Sequence, residues 1–408
     1  MAYVFVADDF TGASDTLATL ARAGLKARLF LDLPDAAEVA GLDAWGIATH
    51  ARSLGRDGIV ALARHIAAGL AAFAPRFLHL KICSTFDSSP ETGNVALLAR
   101  TLADGLGIAN IAVIGGQPSL GRHAVFGTLF ASGPDGAVHR IDRHPVMSGH
   151  PVTPMREADM LRHLASLGLE GLTLVARGQR GGAFPRYYDA LEQSDIEAAG
   201  RDLMAAGGRC IVMGASSVAE GWLAARSVRG RVAAPPPLDD NGPVLAFVGS
   251  RSALTTTQVA AAQGFARLPV DPVAMLAGGA RCAGIRDWAA ERLARDENCM
   301  IFLTADHAGP FSPAELAEAS AAFIAELIET SRPGGLIVAG GDSSSAIIGR
   351  LAPASLAYAG TLCPGVPVLR GRTAGGDLPM ALKGGQMGGV DFFDRAGAML
   401  RGKTEART

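Results

Sequence analysis

The run Tyr3-Val4-Phe5-Val6-Ala7 is apolar at successive positions and stops at two adjacent carboxylates, Asp8 and Asp9. An apolar run without alternation reads as a strand buried on both faces, the kind that fills parallel sheets. Phe10-Thr11-Gly12-Ala13 then turns the chain, and a helical pattern begins near Ser14. Strand, acidic loop, helix is the opening of a βαβ unit, and the same order recurs down the chain. Strands are expected over 3–7, 27–31, 44–48, 77–82, 111–114, 172–175, 210–213, 244–248, 300–303 and 336–339. Helices are expected over 14–23, 57–74, 93–106, 157–167, 195–206, 219–225, 255–263, 285–295, 313–329 and 343–351. This alternation predicts an α/β fold built of mainly parallel sheets flanked by helices.

A chain of 408 residues is long enough for two domains. The Pro-rich stretch 233–243, aperiodic and polar at its end, reads as a semi-rigid linker between an N-terminal domain over 1–232 and a C-terminal domain over 244–408. The long segment 115–154, rich in His, Arg, Gly and Pro, reads as a functional or disordered loop. A formal charge of -2 favours neither nucleic acid nor an anionic membrane surface. No stretch has the roughly 20 apolar residues that span a bilayer, and the N-terminus lacks a signal-peptide pattern. Five scattered cysteines without a CxxC pair indicate neither a zinc site nor a disulfide framework, as expected of a cytoplasmic protein. The apolar surplus suits either large cores or a homodimer interface.

Ligands of open α/β sheets gather at the carboxyl ends of strands. Asp8, Asp9 and Asp15 lie there, and such acids handle hydroxyl groups or a metal, or simply cap and solvate a turn. Lys81-Ile82-Cys83-Ser84-Thr85-Phe86-Asp87 ends another strand, with an ammonium for a carboxylate and Ser84 and Asp87 for hydroxyls; a hydroxyl-rich N-cap cluster is the structural alternative. Arg52, in the loop after a third strand, can form a bidentate pair with a carboxylate. His144 and His150 are six apart across a proline, which is not helical metal-ligand spacing. In the second half, Gly249-Ser250-Arg251-Ser252, Gly340-Gly341-Asp342-Ser343 and Lys383-Gly384-Gly385-Gln386 each follow an apolar run. Glycines let backbone N–H groups approach phosphate, so three such turns fit a nucleotide cradle. None has Walker A or dinucleotide-fingerprint spacing.

Six motifs in this order, Ala7-Asp8-Asp9-Phe10-Thr11-Gly12-Ala13, Lys81 to Pro90, Gly249-Ser250-Arg251-Ser252, Gly340-Gly341-Asp342-Ser343-Ser344, Pro364-Gly365-Val366-Pro367 and Leu382-Lys383-Gly384-Gly385-Gln386, resemble the four-carbon acid sugar kinase family over nearly the whole chain. The resemblance implies a sugar-acid-binding N-terminal domain and an ATP-binding C-terminal domain facing each other across an active-site cleft. It implies phosphorylation of the terminal hydroxyl of an acid such as threonate, erythronate or 3-oxo-tetronate, with ATP and Mg²⁺. Asp8, Arg52, Lys81 and Ser84 would bind the acid, and Asp9, with Asp87 and Asp15 as alternatives, would orient or deprotonate its hydroxyl. Ser250, Ser252, Gly340, Gly341, Asp342, Ser343, Gly384 and Gly385 would hold the nucleotide. The sequence departs from the family pattern in places: Ser343 stands for Thr, Arg251 for Cys, and in the lysine turn Gly384, Gln386 and Met387 stand for Ser, Asn and Phe. A non-catalytic acid-sugar sensor and a sugar-phosphate isomerase or aldolase are the competing readings.

Overall fold

The computed structural model describes residues 2–150, 152–228, 238–239, 242–304, 311–373, 375–385 and 387–403. Chain contacts divide the protein into two compact units, Met1–Ala233 and Ala234–Thr408. Residues 233–237, 240 and 241 of the expected linker, and Gln386 of the lysine turn, lie outside the described residues. Among the described residues no helix is long and apolar enough to cross a membrane.

The first unit contains strands β1 (Tyr3–Ala7), β2 (Ala27–Phe30), β3 (Ala44–Ala48), β4 (Phe77–Lys81), β5 (Asn110–Ile114), β6 (Arg122–Val125), β7 (Thr128–Ser132), β8 (Val138–Arg140), β9 (Thr173–Val175), β10 (Arg186–Tyr188) and β11 (Cys210–Gly214). Its helices are α1 (Phe10–Arg22), α2 (Arg56–Ala71), α3 (Val95–Leu106), α4 (Met160–Ser166), α5 (Gln193–Ala206) and α6 (Ser217–Ala225). The main sheet runs β2-β3-β1-β4-β11-β5-β10-β9, parallel throughout. All five residues of β1, of β3 and of β11 are buried, as strands covered on both faces must be. From β1 the chain winds out to β2, returns through β3 and crosses by α2 to β4 on the other side of β1. The carboxyl ends of β1 and β4 therefore flank a topological switch point, where an open sheet leaves a crevice.

The segment expected to be a long loop is folded. Residues 122–140 form the antiparallel sheet β6-β7-β8, whose Ala124, Leu129 and Ala131 join the core beneath it together with Ile141 and Met155. Its alternation is short and interrupted by glycine turns, which masked the strand period. Helix α1 starts at Phe10 rather than near Ser14, because Asp9 caps it and Thr11-Gly12 form its first turn.

Beneath β1 and β4, Tyr3 donates its hydroxyl hydrogen to His79 Nδ1 (2.8 Å) and His79 Nε2–H donates to Gly214 O (3.2 Å). Burial pushes the His79 imidazole down to about 3, so the ring is neutral. Tyr3→Phe leaves a buried acceptor without its donor and is expected to cost about 1–3 kcal/mol, read as a lower urea midpoint. An unchanged midpoint would remove this bond from the account of the core.

The second unit contains β12 (Val244–Val248), β13 (Ala266–Val270), β14 (Cys299–Leu303), β15 (Gly335–Ala339), β16 (Leu356–Cys363), β17 (Val366–Thr373) and β18 (Gly376–Lys383). Helices α7 (Ala253–Ala261), α8 (Pro272–Ala277), α9 (Gly279–Ala294), α10 (Pro313–Ser331), α11 (Gly341–Leu351) and α12 (Phe392–Leu400) accompany them. The strands run β13-β14-β12-β15-β18-β17-β16, parallel from β13 to β18 and antiparallel beyond. The winding repeats that of the first unit: out from β12 to β13, back through β14, then across to β15. A second switch point thus lies between the carboxyl ends of β12 and β15.

Candidate functional site

In the first unit the three expected loops converge at the switch point. Asp8 follows β1, Arg52 follows β3, and Lys81 to Asp87 follow β4. Backbone bonds fix their register: Asp8 N–H donates to Lys81 O (3.0 Å) and Arg52 N–H to Asp8 O (3.1 Å). Arg52 Nη2 bonds Asp87 Oδ2, while Arg52 Nη1 lies 3.7 Å from Asp9 Oδ2 and 4.0 Å from Asp8 Oδ2, beyond hydrogen-bond reach. Arg52 Nη1 and Asp8 Oδ1 are both buried and, among the described residues, neither has a hydrogen-bond partner. Buried polar atoms are almost always paired. A donor and an acceptor left open side by side therefore mark a place built for a polar ligand that carries an anion and a hydroxyl.

The acids differ in what they are free to do. Burial, reinforced by the neighbouring Asp9 charge, pushes the Asp8 carboxyl up to about 7 against the pull of Arg52 and Lys81. Asp9 Oδ1 accepts the Gly12 N–H (2.5 Å) and caps α1; its side chain keeps 29% exposure and Oδ2 faces Arg52. Asp87 is fully buried and accepts from Thr85 Oγ1 (2.5 Å), Thr153 Oγ1 (3.0 Å) and Arg52, so its carboxylate is occupied with holding the guanidinium. Asp15 lies outside this cluster. It accepts from Ser216 Oγ (2.5 Å) after β11, and its charge adds to the burial that raises the Glu220 carboxyl.

Lys81 is buried, and its Nζ donates to Ile82 O (2.8 Å). A Cβ at position 12 would come within 2.5 Å of that nitrogen and 2.8 Å of Asp9 Oδ1, so a larger residue there would displace both charged groups of the site. Ser84 is buried in the turn that Phe86 N–H closes onto Cys83 O (3.1 Å), with Phe86 in the left-handed region (φ 56). Such conformations in non-glycine residues concentrate at functional sites.

The glycine turns of the second unit also meet. Gly249 and Ser250 N–H both donate to Ala339 O (2.9 Å each), and Gly340 N–H donates to Lys383 O (2.9 Å). Gly340 has φ 129, which opens the start of α11, and Ser343 packs directly under Gly249. Asp342 is exposed in the first turn of α11. Ser252 caps α7 and donates to Gly385 O (2.5 Å). Thr255 Oγ1 donates to the same carbonyl (3.0 Å), and Gln258 Nε2 lies 2.8–3.1 Å from the carbonyls of Met387, Gly388 and Gly389. Lys383, fully buried, donates to Thr255 Oγ1 (3.1 Å) and Gly384 O (3.2 Å), and burial pushes its amine down to about 8. With the carbonyls of Gly385, Met387, Gly388 and Gly389 held by α7 and Lys383 O accepting the Gly340 N–H, the described residues of the lysine turn adjoin the amino end of α11, which favours an anion. Thr255 and Gln258 were not singled out in the sequence. Their i, i+3, i+6 spacing from Ser252, the residue that caps this helix, is the signal that points to them.

Residues 3–222 match the family model of a sugar-binding N-terminal domain, and residues 245–393 that of a nucleotide-binding C-terminal domain. The chain belongs to the four-carbon acid sugar kinase family. It is 34% identical to a 3-oxo-tetronate kinase of Methylobacterium radiotolerans, over 97% of this chain and 98% of the relative. It is 30% identical to a 3-oxo-isoapionate kinase of Paraburkholderia graminis, over 95% and 92% of the two chains. A crystal structure from Salmonella typhimurium LT2 shares the fold, with a TM-score of 0.79 and 24% identity over 97% of this chain and 98% of that one. As a member of this kinase family the protein is a phosphotransferase with an alcohol group as acceptor.

Proposed function

We propose that the protein is an ATP-dependent kinase that phosphorylates the terminal hydroxyl of a four-carbon acid sugar, with 3-oxo-tetronate, threonate and erythronate as the candidate acceptors. The observation that carries this reading is the open pair at the first switch point, Arg52 Nη1 beside Asp8 Oδ1. Arg52 would take the substrate carboxylate through its free edge, while Asp87 fixes the guanidinium from behind. Asp8, with its carboxyl at about 7, can accept from or donate to an oxygen of the sugar chain. Asp9 is the reachable carboxylate and would orient or deprotonate the attacking hydroxyl. Lys81, tied to Ile82 O, balances the acids and shapes the floor.

On the nucleotide side, the N–H groups at Gly341, Gly384 and Gly385 and the hydroxyls of Ser250 and Ser343 would hold phosphates, while Gly340, whose own N–H is taken by Lys383 O, opens the helix start and Ser252 holds the turn itself. The donor set fits a phosphate chain: backbone N–H groups, a helix amino end and a buried lysine. Asp342, exposed in the first turn of α11, would meet a phosphate-bound cation, and Mg²⁺ keeps most of its ligands from phosphates and water. ATP with Mg²⁺ supplies the phosphoryl group and neutralises its charge; the protein contributes positioning and water exclusion.

The test is ADP release measured with ATP–Mg²⁺ over a panel of tetronates, their 3-oxo forms and 3-oxo-isoapionate. Acid-dependent release from at least one four-carbon acid is expected. Absence of release across the panel, with no acid raising the melting temperature, would overturn the reading.

A further inference from the structure

The stretch from Arg140 to Met155 enters the site as built so far through one hydroxyl, that of Thr153. His144 Nδ1 accepts the N–H groups of Val146 (3.1 Å) and Met147 (3.2 Å), and its Nε2–H donates to Ser132 O (3.2 Å). Ser148 Oγ donates to His144 O (2.7 Å), and Met155 N–H to Met147 O (2.9 Å). His150 repeats the device: its Nδ1 accepts the Thr153 N–H (3.0 Å) and lies 3.1 Å from Thr153 Oγ1. Each of the two histidines thus accepts a backbone N–H from two or three residues further on, and Thr153, the one bonded to His150, is buried. Thr153 Oγ1 donates to Asp87 Oδ2 (3.0 Å), the oxygen that also receives Arg52 Nη2.

We propose that Thr153 is a positioning residue for the acceptor acid: its hydroxyl orients Asp87, and through Asp87 the free edge of Arg52. The proposal rests on the kinase reading above. Asp87 has no solvent exposure, so its orientation is set by its donors alone. Without Thr153, Asp87 keeps Thr85 on Oδ1, but Oδ2, the oxygen that faces the guanidinium, is held by Arg52 only. The guanidinium can then turn toward Asp8 and Asp9, 4.0 and 3.7 Å away, and close the edge that the substrate carboxylate needs. The cost falls on acid binding and leaves the nucleotide side untouched.

Thr153→Val keeps the shape and removes the donor. It is expected to raise KM for the acid about tenfold, as loss of a hydrogen bond to a charged group does, with KM for ATP as in the wild type. Thr153→Ser is expected to restore KM to within about twofold, and Thr153→Cys, a weak donor, to fall between and serve where valine prevents folding. Ser148→Ala loosens the same segment without touching Asp87 and is the control. An unchanged acid KM in Thr153→Val, or an equal rise in Ser148→Ala or in KM for ATP, overturns the positioning role and leaves the kinase reading standing. Wild-type protein that neither turns over nor binds any acid of the panel in calorimetry overturns both.

Discussion

Replacing Arg52 with methionine is expected to lower kcat/KM for the acid about a thousandfold while KM for ATP stays near the wild-type value. Truncating one partner of a buried charge cluster costs 2–5 kcal/mol or more, and each 1.4 kcal/mol is about tenfold. Arg52 is the residue that both offers an open N–H edge and binds the buried Asp87. The same change should destabilise the fold by about 2–3 kcal/mol, less than a fully buried pair because the Arg52 side chain keeps 27% exposure. The sign with pH is definite. Arg52 lowers the Asp8 carboxyl, so its removal pushes Asp8 above about 7 and leaves Asp87 buried without its cation. Protonation of Asp8 relieves its share, and the stability deficit should shrink between pH 8 and pH 5. Urea unfolding of both proteins at the two pH values measures it; a pH-independent deficit would show that Asp8 does not feel Arg52.

Strands buried on both faces were legible in the sequence. Tyr3–Ala7, Ala44–Ala48 and Val244–Val248 begin and end where their apolar runs do, because nothing but burial decides them. Strands that answer to one local contact were not. In β10, Arg186 is buried because its guanidinium bonds Gly182 O, Tyr188 Oη and Asp202, none of which periodicity reveals. β13 carries Arg267 and Pro269 and lies at the end of its unit's strand order, where alternation is weak. The meander β16 to β18 has register shifts at Tyr358/Gly360 and Thr361/Cys363, so its turns stood out and its strands did not. The site divides in the same way. Asp8, Asp9, Lys81 and Asp87 stand at strand ends and announce themselves. Thr153 arrives 66 residues after Asp87 in a segment that reads as loop, and only its fold brings the hydroxyl to the carboxylate.

The adjacent aspartates should separate cleanly when each becomes asparagine. Asn caps a helix as well as Asp does, so Asp9→Asn keeps the start of α1 and its stability. It loses the carboxylate proposed to orient the hydroxyl, and turnover should fall a hundredfold or more, with ATP binding retained. Asp8 is the opposite case for stability. Its carboxyl rises from 3.8 to about 7 on folding, so between those values the folded state holds a proton that the unfolded chain has released. Stability is therefore lost as pH rises through this window, and the full penalty is present above pH 7. Asp8→Asn removes it. The variant should be more stable than the wild type at pH 8 by on the order of 2 kcal/mol, with the gain fading toward pH 4, while acid turnover falls. A polar group retained at a cost to stability is what a ligand site requires, since the substrate completes the bonds that the fold leaves open. Equal stability of Asp8→Asn and wild type at pH 8, by urea unfolding, would mean that Asp8 is already satisfied in the free protein. The open pair with Arg52 would then no longer argue for a bound acid.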